Sequence, residues 1–237
     1  MSTDWAAYDQ SVQARHGDSL SATQRIRHVL IAAISHSDIA PGARLKEAEL
    51  GLQLGVSRTP LREALAGLRA EGILSIGEDG GLRVRSLAYQ DIHALYQMRA
   101  TLEGMAAELA AIQASPAERS FINDIRAHES ALVASHAPPA TLADLNGRFH
   151  HAIQLASHNQ FLIETMQRLG RLMVLLGPTA YSLDSRVHEI GDEHDAINHA
   201  IQQGDASAAG AAAKTHLQNA VKARLEIMAT GHTANLD

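Results

Sequence analysis

The residues with the clearest chemical potential are a dispersed set of nitrogen ligands. Asn146 and His150 stand four apart, so a helix presents both on one face. His194 precedes the Gly204-Asp205 pair by ten residues, and His216 follows Asp205 by eleven. If that pair turns the chain between antiparallel helices, both histidines lie about 15 Å from the turn, at one height. Three imidazoles and one amide oxygen can hold a divalent ion and leave positions open for water or a ligand. The sequence contains no cysteine, so any metal site must use nitrogen and oxygen. With fourteen histidines in the chain, coincidental spacing is common. On spacing alone, ordinary core or solvated histidines remain the competing reading.

A second group lies nearer the N-terminus. Ser57-Arg58-Thr59-Pro60-Leu61-Arg62 reads as the start of a helix whose apolar side is Leu61, Leu65 and Leu68. Ser57, Arg58, Thr59 and Arg62 fall on the other side. An arginine there can grip guanine O6 and N7 with two hydrogen bonds, worth about 1–3 kcal/mol of discrimination. Serine, threonine and a helix N-terminus suit phosphate oxygens. Arg44 and Lys46, just upstream, could hold the DNA backbone. Taken alone, the same residues read equally well as solvated surface charges, so their meaning depends on the surrounding elements.

Those elements follow from periodicity. Residues 1–20 show no clear period and are expected to be a mobile arm. Ile26, Val29, Leu30, Ala33 and Ile34 recur at helical spacing, giving an amphipathic helix from Ser21 to about His36 that Ala40-Pro41-Gly42 breaks. A short helix follows from about Lys46 to Leu54, with Gly55 suited to a left-handed C-cap. Ser57 is expected to N-cap a third helix to about Glu71. Residues 73–76 and 82–85 flank a Gly-rich turn and form a hairpin. Beyond a joint at 86–90, six helices are expected: 89–114, 116–135, 141–156, a very apolar one closing at Leu176 before Gly177-Pro178, one opening at Ser182 or Asp184 and closing at Gln203, and one from 206 to about 228. Short connections make these an antiparallel bundle. The Met- and Leu-rich stretch 161–176 is expected in the core, with part of it lining a dimer seam. The domain plan is therefore an arm (1–20), a winged helix-turn-helix (21–85), a linker (86–90), an all-α six-helix domain (91–230) and a tail (231–237).

Composition supports a mainly α chain of 237 residues, because aromatics are only 3% and the apolar content is mostly aliphatic. The absence of cysteine makes a reducing cytoplasm the simplest location. No apolar run is long enough to span a membrane, and the N-terminus lacks the basic and apolar regions of a signal peptide. The net charge of −6 argues against a general nucleic-acid binder. Residues 21–85, however, hold nine basic and seven acidic groups against eleven and nineteen elsewhere, so only that part suits phosphates.

The stretch Pro41-Gly42-x-x-Leu45-x-Glu47-x-x-Leu50, continuing through Leu54-Gly55-Val56-Ser57-Arg58-Thr59-Pro60-Leu61-Arg62-Glu63-Ala64-Leu65, resembles the winged helix of GntR-family transcription regulators. The resemblance implies that Arg58 and Arg62 read bases while Ser57 and Thr59 grip phosphate or base edges. The wing tip departs from the family pattern. Glu78-Asp79-Gly80-Gly81 is acidic where family wings often carry a basic residue or histidine, so wing contacts would be weak or rest on the backbone of Gly80 and Gly81, with Arg83 and Arg85 partly compensating from the strand. Met98-Arg99-x-x-Leu102-Glu103, Asn146-x-x-Phe149-His150, Glu193-His194 and His216-Leu217 resemble the FCD ligand-binding domain of the FadR subfamily. That resemblance implies a metal held by Asn146, His150, His194 and His216 beside an effector pocket, with zinc or nickel suiting the nitrogen-rich set. Asparagine replaces the commoner aspartate and removes a negative charge. Arg99, and more weakly Arg148, would meet a small carboxylate effector.

The function expected is a homodimeric repressor on a pseudo-palindromic operator, its affinity set by that effector. A metal-responsive regulator, with the ion itself as signal, is one rival. A metal-dependent hydrolase is another, in which Glu193, beside His194, would be the acidic residue.

Overall fold

The computed structural model describes residues 3–177 and 179–233. Among the described residues, ten α-helices and one hairpin divide between two compact units. One comprises Met1–Ala88 with Gly170–Pro178, the other Tyr89–Leu169 with Thr179–Asp237. Among the described residues no helix is long and apolar enough to cross a membrane.

The first unit opens with helix α1, Trp5–His16, where a mobile arm was expected. Asp4 caps it, accepting from the Ala7 amide at 3.0 Å. Trp5, Tyr8 and Val12 share its inner face, and the polar atoms of the two aromatics hid the helical period. Trp5 Nε1 donates to Gln53 (3.1 Å), and Tyr8 OH donates to Asp38 (2.8 Å). Helix α2, Ala22–Ser35, starts from a reciprocal Ser21–Gln24 capping box and buries the five residues its period predicts. Helix α3, Glu47–Leu54, ends at Gly55 with φ 63° and ψ 31°, a left-handed cap that a side chain would strain. Helix α4, Arg58–Ala70, buries Leu61, Ala64, Leu65 and Leu68. Ser57 occupies its N-cap position without a side-chain capping bond, which leaves the hydroxyl for another partner. Strands β1 (Leu74–Ile76) and β2 (Leu82–Val84) pair antiparallel with Ser75 opposite Arg83, and Arg44 adds a bridge to Arg83. One core of Ile26, Leu30, Leu61, Leu65, Leu68, Ile73 and Leu74 holds these elements together.

The second unit is the expected six-helix bundle: α5 (Tyr89–Gln113), α6 (Pro116–Ala134), α7 (Pro139–Ala156), α8 (Gln160–Arg171), α9 (Asp184–Gln203) and α10 (Ala206–Thr233). A Ser115–Glu118 capping box with Pro116 at the first position opens α6. Alanines of α5 (Ala106, Ala107, Ala110, Ala111) meet Ala209 and Ala213 of α10, so small side chains set a close approach.

The bundle is not continuous in sequence, contrary to the 91–230 plan. Helix α8 stops at Arg171 rather than Leu176, and Leu172–Leu176 form a 3-10 turn. Leu172, Val174 and Leu175 pack into the first unit's core, so the apolar run serves two cores and not one helix. A further 3-10 turn, Ala180–Ser182, precedes α9. Helix α10 runs on through Thr233, past the expected tail boundary at 231, and residues 234–237 and Pro178 lie outside the described residues.

Candidate functional site

In the first unit, α4 presents Ser57, Arg58, Thr59 and Arg62 as exposed side chains from its N-terminus, while Leu61 and Leu65 anchor its opposite side. Arg58 has no hydrogen bond or ion pair among the described residues. Arg62 approaches Glu47 at 3.7 Å with its side chain 72% exposed, a contact that water screens. Lys46, also exposed, pairs with Glu49 at 2.7 Å.

The wing differs from expectation. Asp79 does not stand free. It takes Arg44 at 3.2 Å and Arg83 at 3.0 Å, and Arg83 also donates to the Gly42 carbonyl at 3.1 Å. The hydrogen bond from Arg83, then that from the Gly81 amide, lowers the Asp79 carboxyl below its ordinary value. The tip's negative charge is thus compensated locally, which leaves Glu78 exposed. The amides of Gly80 and Gly81 are engaged within the turn. Gly81 N–H donates to Asp79 at 3.1 Å, and Gly80 N–H donates to the Gly77 carbonyl at 2.9 Å.

In the second unit three of the four expected ligands converge. His150 on α7, His194 on α9 and His216 on α10 are buried, and each has a ligand atom within 4.8 Å of the others. Their rings lie 4.8–5.3 Å apart centre to centre, and Phe149 closes one side 4.5 Å from His194. Behind each ring stands a carboxylate. His150 Nδ1 meets Glu103 at 2.7 Å, His194 Nδ1 meets Glu129 at 2.8 Å, and His216 Nδ1 meets Glu193 at 2.7 Å. An ionised carboxylate only accepts, so in a neutral ring held this way Nδ1 carries the proton and Nε2 keeps its lone pair. His194 Nε2 is buried with no partner.

The carboxylates are themselves held. Arg99 donates to Glu103 at 2.8 Å and lies over the Tyr96 ring. Tyr181 donates its hydroxyl to Glu129. Arg186 and Asn219 donate to Glu193 at 3.0 and 2.8 Å. Burial alone would raise the Glu103 carboxyl, but His150 and Arg99 outweigh it and hold the group well below the carboxylate range. Burial likewise opposes ionisation of Glu193, yet hydrogen bonds from His216, Arg186 and Asn219 bring it to about 2. At Glu129 burial prevails, and the pKa is raised although Tyr181 and Arg126 oppose it. Burial, then the neighbouring imidazoles, pushes His194 well below its usual value, and burial also lowers His216. Neutral imidazoles are the form that binds metal.

The fourth expected ligand, Asn146, lies one turn before His150 on α7, is partly exposed and makes no hydrogen bond among the described residues. Arg99 belongs to the His150 wall but is paired to Glu103. Arg148 is exposed, and residues two apart on a helix point about 200° apart, so it cannot share His150's inner face. Glu193, the acidic neighbour of His194 in sequence, pairs instead with His216. The sequence reading missed Glu129, Tyr181, Arg186 and Asn219. Glu129, Tyr181 and Asn219 meet partners on other elements, where no single-helix period reports them, and Arg186 meets Glu193 two turns along α9 itself.

A buried imidazole nitrogen without a partner costs about 1–3 kcal/mol, and a water, an ion or a ligand would satisfy it. Three imidazole nitrogens within 4.8 Å of one another are a donor set suited to a nitrogen-liganded divalent ion.

Comparison with known proteins places these features in a family. Residues 22–84 match the bacterial regulatory proteins of the gntR family, and residues 94–219 match the FCD domain. The "Glc operon transcriptional activator" of Escherichia coli K12 is 32% identical over 211 residues, covering 78% of this chain and 82% of that protein. The "Probable D-xylose utilization operon transcriptional repressor" of Paenarthrobacter nicotinovorans is 29% identical over 200 residues, covering 83% and 86%. Among solved structures, E. coli McbR/YncC shares the fold with a TM-score of 0.71 at 22% identity, over 88% of this chain and 99% of that one. With the gntR match on the winged helix and the FCD match on the bundle, the chain belongs to the GntR family of DNA-binding transcription regulators with a C-terminal FCD domain, and it is not an enzyme.

Proposed function

We propose that this regulator is a cytoplasmic repressor acting as a homodimer on a pseudo-palindromic operator, and that a small carboxylate bound beside a divalent ion at His150, His194 and His216 sets its affinity for DNA. The observation that carries the reading is the orphaned His194 Nε2 inside a ring of three carboxylate-held imidazoles. Zinc or nickel suits a set of nitrogen donors, with Asn146 Oδ1 as the fourth ligand. Bound there, the ion supplies a Lewis-acidic anchor for a carboxylate oxygen. The protein's own part is to fix three tautomers through Glu103, Glu129 and Glu193, and to keep the centre dry. Arg99 adds positive charge on the His150 side.

Arg58 and Arg62 of two subunits would enter successive major grooves about 34–36 Å apart, with Ser57, Thr59, Lys46 and Arg44 on phosphates. For a ligand to shift operator occupancy from mostly bound to mostly free, it must favour one state by several kcal/mol.

A gel shift on the intergenic DNA upstream of the gene, with and without zinc and a panel of small carboxylates, tests the reading. Calorimetry with zinc on the wild type and on His194→Ala tests the centre. Zinc should bind at one site per chain and be lost in the variant. An operator affinity that no carboxylate alters, but that chelation abolishes, would make the ion itself the signal.

A further inference from the structure

A second cavity of the bundle lies apart from the histidines. It is a groove of about 720 Å³ between the first half of α5 and the middle of α10, within the roughly 300–1,000 Å³ usual for small-molecule sites. Neither the three histidines nor their carboxylates line it. Tyr96 and Leu217, at 4% and 1% exposed, form its floor, and half-buried Val221 and Leu225 extend it along α10. Lys214 and Lys222 stand at its rim, and among the described residues no aspartate or glutamate lines it. Lys214 donates to Glu108 at 3.1 Å. Lys222 donates to a neutral acceptor, Asn219 Oδ1, at 3.2 Å and has no ion pair among the described residues. The Tyr96 hydroxyl has no hydrogen bond among the described residues, although a buried tyrosine ordinarily finds a partner for that group. The groove therefore combines an apolar floor, a phenol in want of an acceptor and an ammonium without a counter-charge.

We propose that this groove is a second ligand site of the bundle, and that it takes an amphipathic carboxylate of medium alkyl chain length. The chain lies on Leu217, Val221 and Leu225, and the carboxylate accepts from the Tyr96 hydroxyl and the Lys222 ammonium. A charge-assisted hydrogen bond satisfies the phenol, and burial of the chain supplies the affinity. A small polar acid has no apolar body to bury on this floor, so chemistry separates the groove from the site proposed beside the histidines. The groove uses only residues of α5 and α10 and needs no metal, so it stands independently of that site.

Calorimetry on the full-length protein in the presence of a chelator, with acetate, hexanoate, heptanoate and octanoate as probes, tests the site. Octanoate should bind at one site per chain, about fourfold tighter for each methylene beyond hexanoate, and acetate should give no signal. Tyr96→Phe removes the hydroxyl and keeps the ring, over which the Arg99 guanidinium stands 5.5 Å from the centroid. Octanoate affinity should fall roughly 10–100-fold in that variant. Val221→Glu puts a like charge in the floor and should abolish octanoate binding with the helical circular dichroism intact. If that variant loses helicity, Tyr96→Phe alone decides. No octanoate binding in chelator, binding that appears only with zinc, or wild-type affinity in both variants would overturn the proposal. A groove closed by a second copy of the chain would overturn it too: octanoate would not bind, and Val221→Glu would change the oligomeric state in sedimentation. Failure of the wild type to bind zinc would overturn only the metal reading.

Discussion

At the scale of single residues, the carboxylates behind the imidazoles are the most exposed part of the argument. Glu193 accepts from His216, Arg186 and Asn219 at once, so Glu193→Gln keeps the shape but loses the charge that fixes the His216 tautomer. Zinc affinity should fall about 10–100-fold by competition with a chelating dye, while the helical circular dichroism is unchanged. Loss of helicity, or unchanged affinity, would show that Glu193 only packs. On the DNA side, Arg58→Ala and Arg62→Ala should each cost about 1–3 kcal/mol against the operator and relax preference at one base pair. Lys46→Ala should weaken all sequences alike and lower the salt slope by about 1, as read by anisotropy titrations over a salt series. His194 and His216 were legible in the sequence because height along antiparallel helices follows from counting residues to a turn, whereas His150 entered through its spacing from Asn146 and the family resemblance. Glu129 was not legible. It sits 65 residues from its histidine on a helix with no other ligand, and only the packing of α6 against α9 brings the two together.

At the scale of elements, two serines stand in the same N-cap position with different duties. Ser115 accepts from the Glu118 amide and completes a capping box on α6, whereas Ser57 makes no capping bond on α4. Ser115→Ala should therefore cost about 1 kcal/mol, a drop of roughly 2–4 °C in Tm for a chain of this size. Ser57→Ala should leave Tm unmoved and weaken operator binding. Equal thermal losses, from calorimetry on both variants, would remove the functional role given to Ser57. The order helix, helix, turn, helix, hairpin was readable because each of its elements is amphipathic and ends at Gly, Pro or a cap. Helix α1 escaped because its inner face is two polar-tipped aromatics and one valine. The end of α8 escaped for another reason. The apolar period runs unbroken through Leu176, and nothing in a period says which of two cores a leucine enters.

At the scale of the whole molecule, the net charge of −6 and the buried histidines set how the protein responds to acid. His194 faces Glu129, His150, His216 and Phe149, with Arg126 and Glu193 adding to its field. Burial lowers the pKa of both His194 and His216 below the ordinary 6.5. Below pH 6.5 the unfolded chain takes up protons that the folded chain refuses, so acid favours unfolding. The metal-free protein should hold its full stability above about pH 7 and lose up to about 1.4 kcal/mol per pH unit for each of the two histidines as pH falls below that point. Glu129 opposes this at the acid end, since its raised pKa lets the folded state keep a proton above 4.5 that the unfolded state releases. Glu193, at about 2, and Glu103 act in the same direction as the histidines, but only below their ordinary value of 4.5. The loss should thus come in two stages, with the histidine stage first. At a hundred times its Kd, zinc adds about 2.7 kcal/mol at neutral pH. That increment must shrink through the histidine stage, because protons compete for the same nitrogens. Urea unfolding between pH 4.5 and 8, with zinc and with chelator, measures both curves. If His194→Ala leaves the metal-free curve between pH 5 and 7 unaltered, the buried neutral imidazole is not what the acid response depends on.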